Sequence, residues 1–216
     1  NTAGPGDPDC PILAAPEGDC QHNYALLISD GAWNGSFPNI GDADDDNNSN
    51  FDGGVYASSS DETPADVAMH FYERDLHSTL SNEVPAGARD IAGAAEDAFE
   101  NNSNVRMHQH MKTYTVGFGV NGEVSESDVP TDYTQTFNWG SPTTTARKID
   151  DLRHAAINGR GLYLDANNPT ELTAALIKAF EEFAQGSGAA SAVSFNSQEI
   201  REDTLIFRSF YNTRTN

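Results

Sequence analysis

The chain has 216 residues, enough to bury a sizeable core, and 33 acidic against 12 basic side chains give it a net charge of −21. Its only lysines are Lys112, Lys148 and Lys178, so it lacks the clustered cations that neutralise a phosphate backbone, and nucleic acid and anionic membrane surfaces are excluded as partners. No apolar run reaches the roughly 18 residues of a spanning helix, so membrane insertion is not expected, and an opening without Met or a leader-like pattern suggests a mature product or a fragment.

In chain order, residues 1–23 form a proline-rich lead-in in which Cys10 and Cys20 are the only cysteines. Prolines on both sides prevent a regular element, and the short separation favours a disulfide, worth on the order of 2–3 kcal/mol in an oxidising compartment. Two unpaired thiols are the alternative. Tyr24–Ile28 is a short apolar run that reads as a buried strand delivering Asp30 at its C-terminal end, where open α/β sheets bind ligands. Ala32–Asp61 is almost all Gly, Asn, Asp and Ser. It reads as too polar to bury and too long for an ordinary connection, hence a functional or disordered loop.

Thr63, Pro64 and Asp66 carry an N-cap, an N1 proline and an acidic N3 residue, predicting a helix with Val67, Ala68, Phe71, Tyr72 and Leu76 on its inner face. A second helix is expected over Ala88–Phe99. Lys112–Val120 alternates Tyr114, Val116 and Phe118 with Thr113, Thr115 and Gly117, the period of a strand with its small residues toward a packed helix. Val124–Thr145 is an aperiodic excursion. Ile149, Leu152, Ala155 and Ala156 then mark a helix stopped by Gly159 and Gly161, and Leu162–Leu164 is a third strand. Asn168, Pro169 and Glu171 open a last helix whose stripe runs from Leu172 to Phe183, and Ala192–Phe195 and Thr204–Tyr211 follow as strands beyond a small-residue linker. Alternating strands and helices specify an α/β, doubly wound, mainly parallel sheet over 24–185, with 186–216 as linker and the start of a β region.

Asp30 reads either as a carboxylate open to a divalent cation or as the cap of the turn after its strand. Asp42, Asp44, Asp46, Asn48, Asn50 and Asp52 place an oxygen donor at every second residue within the 39–61 loop, close to the density a calcium ion needs. An EF-hand does not follow, because Asn47 stands in place of the obligatory glycine and Gly53 in place of the bidentate glutamate, leaving a non-EF calcium loop or a solvated acidic run. His108, His110 and His154 lack the companions of a transition-metal site and read as packing or surface residues. No nucleophile elbow, phosphate loop or zinc-protease motif occurs, so an enzyme is not expected.

The words LLISDGAWNG, DVAMHFYERDL, HQHMKTYTVGFGV, DDLRHAAINGRGLYLDANNPTEL and AVSFNSQEIREDTLIF, in this order over most of Cys20–Tyr211, resemble the von Willebrand factor A-like region and following junction of PilY-type type IV pilus tip adhesin and biogenesis proteins. The resemblance implies a surface-displayed, extracellular module for adhesion and pilus assembly, with minor pilins, the pilus tip and host or abiotic surfaces as partners. In such A domains a metal-ion-dependent adhesion site combines a DxSxS motif, a threonine and an aspartate. Asp30 matches the aspartate, but the other two motifs are absent. The chain thus corresponds to the C-terminal half of an A domain, and the N-terminal half is an implied partner, with magnesium or another divalent ion at the completed site. A calcium-stabilised structural part of an extracellular filament or surface layer is the rival reading.

Overall fold

Three of the expected runs become the strands of one sheet, the last two expected runs each contain a two-residue strand, and three of the expected stripes become helices, in a computed structural model that describes residues 4–35, 37–91, 106–186, 194–195 and 206–207. The elements are β1 (Asn23–Ser29), α1 (Pro64–Glu73), β2 (Val84–Pro85), α2 (Ala88–Ile91), β3 (Arg106–Met107), β4 (Met111–Phe118), α3 (Thr145–Asn158), β5 (Arg160–Ala166), α4 (Pro169–Gly186), β6 (Ser194–Phe195) and β7 (Ile206–Phe207). β1, β4 and β5 form a parallel sheet in the order β1-β4-β5, with Leu26 opposite Tyr114 and Val116 opposite Leu164. β2 with β3, and β6 with β7, are short antiparallel pairs.

Helices cover both faces of the sheet. On one side α4 lays Ala175, Ala179 and Phe183 onto Tyr114, Val116 and Leu164, and on the other Thr115 donates its hydroxyl to Leu152 O of α3 at 2.7 Å. The alternation read along β4 is thus the alternation between two helical layers. Burying side chains the size of Leu164 and Phe183 contributes about 1.5–3 kcal/mol each. α3 begins at Thr144, whose hydroxyl accepts from Arg147 N–H, and ends at Gly159, which lies against Thr113 so closely that a Cβ would sit 2.5 Å from the threonine Cβ.

α1 has the expected capping box: Asp66 N–H donates to Thr63 Oγ1 (3.3 Å) while Thr63 N–H donates to Asp66 Oδ2 (2.8 Å). Its buried face differs from the expected one. Ala65, Ala68, Met69 and Tyr72 are inside, whereas Phe71 is exposed beside Arg74. The reason is the partner: Ala65 and Ala68 meet Ala155 of α3, and Met69 and Tyr72 turn toward Arg160.

The lead-in is strapped to the base of the sheet. Gln109 Nε2 reaches Asp19 O and Ser81 O (both 2.9 Å), Ser81 N–H donates to Asp19 Oδ1 (3.0 Å), and Glu83 N–H to Asp19 O (3.2 Å). The expected Cys10–Cys20 bridge is not formed, and both residues are free thiols. Gln21 makes the closure instead: its side-chain oxygen accepts from Leu13 N–H and its amide donates to Pro11 O, both at 2.8 Å, while Cys20 Sγ faces Glu17 O at 3.8 Å. The expected helix beyond Ile91 and most of the final β region lie outside the described residues.

Candidate functional site

The acid-rich segment is built into the core. Ala43, Phe51, Val55 and Tyr56 are buried, so the reading of Ala32–Asp61 as too polar to bury is corrected. These apolar side chains join Met69, Tyr72, Val84, Met107 and Trp139 in one cluster, under Tyr133 and Phe137 from the long excursion. Arg160, at the start of β5 and 1% exposed, is the anchor. Its guanidinium carbon lies 3.7 Å from the Tyr56 ring centroid, 4.3 Å from Tyr72 and 5.8 Å from Phe51, and it donates to Asn158 O (2.6 Å) and Phe51 O (3.0 Å).

Fixing the apolar residues divides the carboxylates into two groups, each completed by α1. Asp42 and Asp44 converge on Asp66, with one oxygen of each lying within 4.8 Å of the others, and Asp46 and Asp52 converge in the same way on Glu73. Asp44 is fully buried; its carboxylate accepts from Ser58 N–H (2.8 Å) and Asn158 Nδ2 (2.9 Å), and lies 3.5 Å from His154 Nε2. Burial pushes its pKa up to about 9, against the pull of those hydrogen bonds. Asp66 Oδ1 accepts from Ala43 N–H at 2.9 Å, so the residue that caps the helix also holds the acid-rich segment. Burial raises Asp66 and Asp42 as well, and Asp42 Oδ1 is a buried oxygen without a hydrogen bond.

In the second group Ser49 Oγ donates to Glu73 Oε2 at 2.7 Å, and Asp52 accepts from Ser49. Burial, then the charges of Asp52 and Asp46, lift Glu73 to about 7. Asn48 donates to Asp46 from N–H and Nδ2 at 3.0 and 2.7 Å, and both Asn48 and Asn50 are exposed. The six-residue donor series therefore does not converge on one centre. Each triad of acids can share protons or hold a hard cation, and the two uses compete.

Asp30 stands exposed just beyond β1, and among the described residues it joins no cluster of acids. Ser29 closes the turn beside it, accepting from Gly31 N–H and donating to Gly31 O. Among the described residues β1 pairs only with β4, and Leu27 and Ile28, pointing to opposite faces, are 43% and 47% exposed. Its edge and both faces at Leu27 and Ile28 are thus open together among the described residues. His110 and His154 are buried packing residues: His154 stacks on Trp139 at 4.4 Å, and His110 Nδ1 bonds His108 O at 2.8 Å.

Sequence reading missed Asp66 and Glu73 as partners of the loop acids, and it missed Arg160. Asp66 was legible only as a cap, and a lone arginine after a helix-stopping glycine carries no local signal.

Comparison with curated proteins finds type IV pilus biogenesis factors PilY1 from strains of Pseudomonas aeruginosa. One is 26% identical over 211 residues, covering 88% of this chain and 18% of the relative, and a second is 27% identical over 198 residues, covering 82% and 17%. The chain is related to PilY1. It spans less than a fifth of the length of these PilY1 relatives. No family model and no solved structure matches the chain. The parallel order β1-β4-β5 with helices on both faces is an α/β fold, consistent with a Rossmann-like or A-like arrangement. Among the described residues no helix is long and apolar enough to cross a membrane.

Proposed function

We propose that this chain is the C-terminal half of a von Willebrand factor A-like domain in a surface-displayed, extracellular, non-enzymatic protein that serves type IV pilus assembly and adhesion. The observation that carries the reading is the alignment with PilY1 over more than four fifths of the chain. The open edge and open faces of β1 support the domain assignment, because they leave room for the strands and helices of the N-terminal half. In this reading Asp30 contributes to an adhesion-site metal once that half is docked, and a cation such as calcium replaces the protons shared within Asp42, Asp44 and Asp66. Minor pilins, the pilus tip and host or abiotic surfaces are the partners.

The test is an in-frame deletion of the gene in the organism that encodes it, complemented by the parent or by Asp30→Ala. Surface pili are counted by electron microscopy, and attachment is measured with and without chelator. Loss of pili and attachment on deletion supports the reading, and loss of attachment alone in Asp30→Ala supports the metal role. Normal piliation and attachment after deletion refutes the proposal. Attachment indifferent to chelator and to Asp30, with pili lost on deletion, favours the purely structural filament component.

A further inference from the structure

A cleft of about 330 Å³ opens between residues 54–59 of the acid-rich segment and residues 136–140 of the long excursion; it borders the first acid triad, because Ser58 of its lining donates its N–H to Asp44 Oδ1, and it does not include Asp30. Its walls are tied together. Val55 N–H donates to Tyr133 O (3.0 Å), Trp139 Nε1–H donates to Val55 O (2.8 Å), and Arg147 holds Trp139 O (3.2 Å). Gly54 and Gly140 have φ of +60° and +70°, and a Cβ on Gly54 would collide with Tyr133 O, so the backbone geometry of the walls depends on glycine. The cleft is therefore largely formed before anything enters it.

Its lining selects a chemistry. Phe137 is half-buried, its ring edge-to-face with Trp139 at 4.8 Å, and it offers one aromatic surface. Around it stand Ser59, Thr136, Asn138 and Asp45, all exposed. Among the described residues the Ser59 and Thr136 hydroxyls and the Asp45 carboxylate have no hydrogen-bond partner, and Asn138 uses only its side-chain oxygen, on Gly140 N–H (3.0 Å). Asp45 is the only charged residue of the lining. The adjacent cation, Arg147, is engaged by Glu123 (2.8 Å) and Asp150 (3.4 Å) and is unavailable to an anion. An acidic ligand would thus meet a carboxylate inside a chain of net charge −21. A lipid chain would strand four polar groups. What fits is a ligand with one apolar ring face, several hydroxyl donors and no negative charge.

We infer that this cleft binds a neutral sugar ring, its C–H face on Phe137, adjacent hydroxyls on Asp45, and the remaining hydroxyls on Ser59, Thr136 and Asn138. The volume is at the low end for small-molecule sites, which suits a single pyranose at the end of a glycan. The inference rests on the cleft alone and stands whether or not the chain serves a pilus.

The experiment is a titration of the isotope-labelled 216-residue chain, followed by amide NMR shifts, with methyl α-mannopyranoside, methyl β-galactopyranoside and N-acetylglucosamine. N-acetylneuraminate and ethanolamine serve as charged controls. At least one neutral sugar is expected to shift amides within 54–59 and 136–140 at millimolar concentration. Asp45→Ala, an exposed site, should weaken that binding about tenfold, as loss of a charge-assisted hydrogen bond does. Phe137→Leu, which retains apolar bulk but removes the ring, should weaken it while lowering Tm by only a few degrees for the lost edge-to-face contact with Trp139, and Glu181→Ala on α4 should leave it unaltered. No shift from any neutral sugar up to about 50 mM, a Kd scale beneath useful recognition, overturns the inference. So do shifts from N-acetylneuraminate or ethanolamine equal to those from the neutral sugars, or binding indifferent to Asp45→Ala.

Discussion

Replacing Arg160 by Met tests whether the acid-rich segment is held by one buried cation. Both residues would share the positive φ of +53° at this position, so backbone strain cancels in the comparison. Removing the guanidinium takes a donor from Asn158 O and from Phe51 O, each costing about 1–2 kcal/mol in a dry site. It also removes a desolvated cation from the faces of Tyr56 and Tyr72, worth roughly 2 kcal/mol. Against this, Met needs no charge desolvation and restores part of the packing. The balance is a net loss of about 3 kcal/mol, or roughly 6–12 °C in Tm for a chain of this size. Arg160→Lys, which retains charge but not the planar fork, should fall between parent and Met. Urea unfolding gives the magnitude and hydrogen exchange gives the place: amides of Phe51–Tyr56 should lose protection before those of β4. A Met variant within about 1 kcal/mol of the parent, or one whose acid-rich segment exchanges no faster, refutes the argument.

Stability should respond to pH from both sides. Burial lowers His22 to about 4 and His110 and His154 to about 3, so the unfolded chain binds more protons below its histidine pKa and stability is lost as pH falls from about 6.5. Burial raises Asp44 to about 9, and Glu73 and Asp151 to about 7, so the folded chain binds more protons there and stability is lost as pH rises toward those values. In chelator, urea midpoints should be nearly flat over roughly pH 4.5–6.5 and decline through pH 9; a midpoint that climbs above neutrality contradicts the assignment of Asp44. Millimolar calcium should reverse that alkaline decline in the parent but not in Asp42→Asn, and equal calcium responses would remove the first acid triad from consideration as a cation site. Thr63→Ala should cost about 1 kcal/mol by uncapping α1, measured by chemical denaturation. Every second amide of β1 should exchange rapidly in the isolated chain and become protected in the longer protein, and persistent exposure there would refute docking of further strands on that edge.

How much of this was legible follows from how local each cause is. The α1 cap, the alternation along β4 and the stripe of α4 are set by residues within one turn or one pleat, and they appear where the sequence places them. The face of α1 was misjudged because Phe71 and Leu76 fit the period as well as Met69 does, and only the cation at residue 160 decides between them. The burial of Val55 and Tyr56 was hidden by the polar residues around them, since their partners Arg160, Trp139 and His154 lie about a hundred residues away. The same distance separates Asp44 from Asn158, so pairing of the acids across elements had no signature along the chain. The cysteine spacing allowed a bridge, but it could not reveal that a glutamine amide already does the tying.

The strap at Asp19, Ser81 and Gln109 bears on mechanics. Force entering through the residues ahead of β1 would reach these side-chain and backbone bonds before the first strand feels it, and would pass sideways into the stretch leading to β4 at the middle of the sheet. Under tension, that routing would load several hydrogen bonds at once and spare β1 from being unzipped one bond at a time.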